Sequence, residues 1–106
     1  MGARPERPGA AFELGEMLTV VGEHLQPGDI APDFLLDSYD ADAGEMRQVS
    51  LADSAGTVRL LNVINSLDTP VCHLETRRWD AIRNDLPEGV TVYTISMDLP
   101  FAQARW

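Results

Sequence analysis

The chain has one cysteine, Cys72, and it sits behind a polar run, Asn65-Ser66-Leu67-Asp68-Thr69, and a proline, Pro70. The spacing predicts a helix here. Thr69 can cap it, and Pro70 fits the first helical position because its missing N–H would have no partner there. Val71, Leu74, Trp79, Ile82 and Leu86 then recur at helical intervals until Pro87 and Gly89 end the helix. Cys72 is therefore read as the third helical residue, among N–H groups without intrahelical partners and beside the positive end of the macrodipole. Both effects favour thiolate over thiol, and the thiolate is the nucleophilic form. The Thr69 hydroxyl is near enough to cap the helix or to bond the sulfur, and the two roles compete. A lone cysteine is also, as a class, a small buried hydrophobe. Residue type and spacing alone leave both readings standing.

The surrounding charges refine this picture. Glu75 lies one turn beyond Cys72, where a bare carboxylate would raise the thiol pKa, and Arg78 is placed to pair with it as electrostatic support. The plainer reading of Glu75 and Arg78 is a solvated i,i+3 ion pair. Arg77 points elsewhere around the helix. His73 adjoins Cys72, but neighbours in a helix diverge by about 100°, which makes it a poor general base for the sulfur. His24 precedes a turn. Two separated histidines make no metal site, and a single cysteine excludes an intramolecular disulfide and a cysteine-rich zinc site.

The elements that must position Cys72 follow from hydrophobic patterning. Val58 to Ile64 is a nearly continuous apolar run and predicts a central strand covered on both faces. Val90 to Ile95 predicts a second buried strand, and Leu99 to Trp106 the start of another helix. Strand, helix, strand is a βαβ unit with a parallel pair, and in an open α/β sheet the site lies just beyond the carboxyl ends of the strands. Trp79 falls on the apolar face of its helix and reads as packing. Upstream, Phe12, Leu14, Leu18, Val20 and Val21 alternate around Gly15-Glu16 and predict a hairpin. Gln26-Pro27-Gly28-Asp29 and Ala31-Pro32-Asp33 read as turns. Phe34 to Asp37 reads as a strand, Tyr39 to Glu45 as a loop, and Arg47 to Val49 as a return strand. Residues 1–10 lack periodicity and are expected to form a flexible arm, with a domain over 11–106.

The composition excludes whole classes of function. Eight basic residues, all arginine, against 17 acidic ones give a net charge of −9 over 106 residues, which disfavours nucleic acid and anionic membrane surfaces. With 44% hydrophobic and 24% charged residues, the chain reads as one globular domain rather than an acidic disordered tail. No secretory pattern follows the N-terminal arginines, no apolar run approaches a membrane span, and Gly2 lacks the serine or threonine of a myristoylation signal at Glu6. A reducing cytoplasm is the expected compartment.

The run Asn65-Ser66-Leu67-Asp68-Thr69-Pro70-Val71-Cys72-His73-Leu74-Glu75-Thr76-Arg77-Arg78-Trp79-Asp80 resembles the active-site signature of the bacterial thiol peroxidases, atypical two-cysteine peroxiredoxins. The hairpin Phe12 to Val21, the run Pro27 to Phe34 and the segment Ser96 to Arg105 also resemble that family in order and approximate spacing. The resemblance implies an α/β, thioredoxin-like fold with an N-terminal β-hairpin. It also implies a cytoplasmic antioxidant peroxidase whose Cys72 thiolate attacks hydrogen peroxide or an organic hydroperoxide and becomes a sulfenic acid. By the match, Thr69 holds peroxide and sulfur in line, the Cys72 N–H stabilises charge on the attacked oxygen, and Asn65, Pro70 and Val71 line the substrate pocket. No metal or organic cofactor is implied. Thioredoxin is the implied reductant, and a homodimer follows from the family's habit.

Three departures accompany the resemblance. The family's signature opens with a proline where this chain has Asn65. Its resolving cysteine directly follows the segment that ends here in Arg105-Trp106. Its later arginine, strands and helix have no counterpart in this sequence, so a longer domain interrupted at residue 106, with an apolar sheet edge left open, is expected. The rival from another class is a non-catalytic redoxin-like module used in binding or assembly. A thioredoxin-type disulfide carrier needs a second cysteine where the chain has Glu75.

Overall fold

In the computed structural model, which describes residues 3–106, Glu6–Glu13 (β1) and Glu16–Val21 (β2) pair antiparallel. Their turn is Leu14-Gly15, with φ of 48° and 83°. Two consecutive positive φ values match the right-handed twist of the strands, which puts the turn one residue before the expected Gly15-Glu16. β1 starts inside the segment expected to be an arm, whose first two residues, Gly2 included, lie outside the described residues. It accommodates Pro8 and Gly9 in a bulge between the Arg7–Val20 and Ala11–Leu18 pairs, the place where a strand tolerates proline. The Arg7 Nε–H donates to the Gly22 carbonyl at 3.0 Å across the strand ends. Gln26 to Asp29 forms the expected turn, closed by the Asp29 N–H on the Gln26 carbonyl at 3.0 Å. These residues belong to one compact unit, and the chain divides from a second after Pro32.

The second unit carries Cys72. Leu35–Asp40 (β3) and Glu45–Ser50 (β4) form an antiparallel hairpin. Its loop is shorter than the sequence suggests, because the Asp40 carboxylate accepts the N–H groups of Asp42 and Ala43, each at 3.1 Å, and pairs with Arg47 at 2.9 Å. A 3₁₀ turn at Leu51–Ser54 leads to Val58–Val63 (β5). Pro70–Ile82 (α1) crosses to Val90–Ile95 (β6), and Pro100–Arg105 (α2) follows. β5 and β6 pair parallel in register from Val58–Val90 to Val63–Ile95, as the βαβ pattern predicts. Past Ile82 the helix tightens to a 3₁₀ turn at Arg83–Asp85 instead of running to Leu86, a common way to end a helix just ahead of proline.

Two aromatic contacts seat the β3–β4 hairpin beside this pair: Phe34 meets Tyr93 edge-on at 5.9 Å, and Tyr39 meets Phe101 at 4.9 Å. Burial departs from the sequence pattern in two places. β5 is not covered on both faces, since Val58 and Val63 are 68% and 69% exposed. The predicted apolar stripe of α1 also faces out, with Val71, Leu74 and Ile82 exposed, while Thr76 is the helix's buried residue. The reason is a polar seam. Asn62 of β5, 5% exposed, donates through Nδ2 to the hydroxyl of Thr76, 4% exposed, at 3.1 Å, and to that of Thr94 of β6 at 3.4 Å. This bond sets the rotation of α1, and Cys72, four residues before Thr76, shares its face. Trp79 is half-buried, in keeping with packing.

Because a buried donor left without an acceptor costs about 1–3 kcal/mol, Thr76→Val is expected to destabilise the chain by roughly that amount although valine is the more apolar residue. A shift of the urea unfolding midpoint, followed by far-UV circular dichroism, measures it.

Candidate active site

Beyond Val63 the backbone continues the ladder for a few residues. The Ile64 N–H donates to the Ile95 carbonyl at 2.9 Å, and the Met97 N–H to the Asn65 carbonyl at 3.0 Å. The two connections that leave the carboxyl ends of β5 and β6 therefore lie side by side. A single carboxylate joins them. Asp98 accepts the Ser66 hydroxyl at 2.6 Å and the Leu67 N–H at 2.8 Å from the β5–α1 loop, and the Ser96 hydroxyl at 2.7 Å from its own loop. Ser96 in turn accepts the side-chain amide of Gln103 in α2 at 3.0 Å. Three donors and no competing acceptor favour the ionised form. The Leu67 N–H and the hydroxyls of Ser66 and Ser96 hold the Asp98 carboxyl below its ordinary range.

Thr69 occupies the N-cap position with an extended backbone, and its carbonyl accepts the His73 N–H at 2.8 Å. Its side chain does not cap the helix. The hydroxyl donates to the Ser66 carbonyl at 2.8 Å and also lies against Cys72. Of the two competing roles, capping is thus the one given up. Cys72 is half-buried in the first turn of α1. Its thiol is held below its ordinary value by the Thr69 hydroxyl first and the Asn65 N–H second; burial opposes this, the Ser66 N–H adds to it, and the Glu75 carboxylate works against it. The sulfur is therefore inclined toward thiolate, the form that attacks electrophiles.

The backbone donors come from the strand-to-helix loop, where the sequence argument looked to the helix terminus. Asn65 favours the thiolate through its backbone N–H, and its carbonyl accepts the Met97 N–H. Where the resemblance expects proline, this chain has a residue with an N–H, which proline lacks. Pro70 and Val71 are exposed beside Cys72. The anticipated Glu75–Arg78 pair is not among the ion pairs of the described residues; the i,i+3 pair found joins Asp80 of α1 to Arg83 of the 3₁₀ turn that follows it, at 3.3 Å. Both Glu75 and Arg78 are exposed, where a long-side-chain pair gains little over water, and Glu75 therefore acts on Cys72 as a carboxylate without that partner. His73 is turned to other work: its Nδ1 accepts the indole N–H of Trp106 at 2.9 Å. Asp98 is the site residue that sequence reasoning missed. Its signal was present in the segment Ser96 to Arg105, but a carboxylate 26 residues past Cys72 in sequence, 98 minus 72, reveals its partner only through the parallel strand pair.

Residues 27–106 match the AhpC/TSA family. The chain belongs to the AhpC/TSA family. It is 46% identical over 92 residues to the thiol peroxidase of Bacillus subtilis, covering 87% of this chain and 52% of that protein. To the thiol peroxidase of Streptococcus sanguinis it is 43% identical over 93 residues, 88% of this chain and 53% of that one. The thiol peroxidase of Staphylococcus aureus matches at 43% over 92 residues, 87% and 52% respectively. The chain thus spans about half the length of these relatives. AhpC/TSA membership carries a thioredoxin-like fold, to which the parallel βαβ unit conforms. Among the described residues no group of three His, Cys, Asp or Glu side chains could hold a metal ion, and no helix is long and apolar enough to cross a membrane.

The donors around Cys72 set clear signs for its titration. With a lowered folded value, its alkylation by iodoacetamide is expected to persist below the ordinary thiol range of about 8.5. Thr69→Val removes the hydroxyl and Asn65→Pro the N–H that favour the thiolate, and each should slow alkylation at neutral pH by roughly threefold, while Glu75→Gln should speed it. For Asp98 the depressed value means that its stabilisation is present above the ordinary carboxylate range and is lost as pH falls through the folded value. The Leu67 amide, slow to exchange at neutral pH by NMR, should become fast on acidification into that window, and Asp98→Asn should weaken its pH dependence.

Proposed function

We propose that this chain supplies the peroxidatic half of a thiol peroxidase site. The observation that carries the reading is a half-buried Cys72 in the first turn of α1, its thiol held below its ordinary value by the Thr69 hydroxyl and the loop N–H groups, in a chain of the AhpC/TSA family. The Cys72 thiolate attacks the terminal oxygen of hydrogen peroxide or an organic hydroperoxide. An S–O bond forms, the O–O bond breaks, and the leaving oxygen takes a proton to depart as water or alcohol. Sulfur is oxidised by two electrons to the sulfenic acid. Thr69 keeps sulfur and peroxide in line, and the Cys72 N–H faces the charge that develops on oxygen. The exposed side chains of Asn65, Pro70 and Val71 form the rim that the peroxide passes.

Cys72 is the only thiol of these 106 residues, so the second thiol that closes the cycle is external to them. Thioredoxin fits that role in a reducing cytoplasm: one thiol displaces the sulfenic oxygen as water, the second releases Cys72, and the two electrons return from the thioredoxin dithiol. A homodimer is the assembly we associate with this function.

Peroxide added in a few equivalents, followed by a dimedone-type trap and mass spectrometry, should give one adduct on Cys72 and none in Cys72→Ser. Reduced thioredoxin added before the trap should remove the adduct. A parent chain that stays unlabelled would refute the peroxidase reading.

A further inference from the structure

We propose that Asp98 is a positioning residue for Cys72, clamping the β5–α1 loop to the β6–α2 loop so that the backbone leading into Cys72 is held in place. The inference rests on the reading of Cys72 as the reactive thiol. It is carried by the hydrogen bonds on either side of the clamp. Every residue from Asn65 to Asp68 is tied: the Asn65 carbonyl to the Met97 N–H at 3.0 Å, the Ser66 hydroxyl and the Leu67 N–H to Asp98 at 2.6 and 2.8 Å, and the Asp68 N–H to the Ser66 hydroxyl at 3.0 Å. The Ser66 carbonyl then accepts the hydroxyl of Thr69 at 2.8 Å, the same hydroxyl that lies against Cys72.

The clamp has its own support. The Ser96 hydroxyl donates to Asp98 at 2.7 Å, accepts the Asp98 N–H at 3.3 Å and accepts the Gln103 amide of α2 at 3.0 Å. One proton and two lone pairs are all that a hydroxyl offers, so Ser96 is fully used. A chain of hydrogen bonds therefore runs from α2 through Ser96, Asp98 and Ser66 to the donors around Cys72. Preorganised donors stabilise charge without reorganising at the moment of reaction, provided something else holds them. Here the holder is a carboxylate that does not touch the sulfur.

Charge and position make opposite predictions. If Asp98 acted only as a nearby negative charge, removing it would favour the thiolate. If it positions donors, removing it must disfavour the thiolate. The charged group that acts on Cys72 directly is Glu75 of α1, and it is unchanged in the variants. The pH dependence of iodoacetamide alkylation of Cys72 is measured in the 106-residue chain, in Asp98→Ala and in Asp98→Asn, with far-UV circular dichroism on each. The positioning role expects the alkylation midpoint of Asp98→Ala to move to higher pH, with a rate lower by about threefold or more near pH 6 and unchanged where the thiol is fully ionised. Asp98→Asn, which keeps the shape and part of the hydrogen bonding, should recover part of the loss. A midpoint that stays or moves to lower pH in the folded Asp98→Ala chain overturns the proposal. If Asp98→Ala does not fold, Asp98→Asn and Ser96→Ala, which removes one of the three bonds and leaves the carboxylate, decide by the same criterion. Alkylation needs no peroxide, so a chain that reacts with iodoacetamide as expected but gives no sulfenic acid would count against the peroxidase reading and leave the clamp intact.

Discussion

The parallel pairing of β5 with β6 is the constraint on which the rest of the site depends. Parallel strands bring their carboxyl ends to one edge, so the loop that enters α1 and the loop that enters α2 start from adjacent points. Asp98 ties the two loops with one carboxylate, which accepts the Leu67 N–H and the hydroxyls of Ser66 and Ser96. The position of Cys72 is a consequence. It stands half-buried at the start of the helix whose entry loop this carboxylate holds, its thiol held low by Thr69, Asn65 and Ser66.

The rotation of α1 is decided separately, by a polar bond in a small core. Only Leu51, Ile64 and Leu67 are buried among the apolar residues described, beside Ser54, Asn62 and Thr76. A core of that size has little apolar area with which to choose one helix rotation over another, whereas a buried amide and a buried hydroxyl tolerate few alternatives. The Asn62–Thr76 bond selects the rotation that puts Thr76 inward and leaves Val71, Leu74 and Ile82 in solvent. Val58 and Val63, at the two ends of β5 and on opposite faces of it, are likewise exposed.

Electrostatics around Cys72 is a balance of short-range dipoles against one charge. The Thr69 hydroxyl and the loop N–H groups outweigh burial and the Glu75 carboxylate, which is exposed and screened by water. The overall acidity of the chain is therefore compatible with a thiol inclined to ionise. Neither Arg77 nor Arg78 is needed for that inclination, and His73, engaged by Trp106, contributes nothing to it.

Local chemistry in the sequence determined a good deal: the β5 and β6 strands, the start of α1 at Thr69-Pro70, the placement of Cys72 as its third residue and the family resemblance. These are properties of short segments, set by proline geometry, periodicity and turn residues, and they survive without knowledge of what packs on what. Only the tertiary structure decided that Thr69 turns its hydroxyl away from capping, that Asn65 and Ser66 are the backbone donors, that Thr76 is the inward face of α1 and that Asp98 belongs to the site. Each of these depends on which long-range partner a polar group finds. A periodic pattern can state that a helix forms, but a hydrogen bond between residues some thirty positions apart exists only once the parallel strands have brought their ends together.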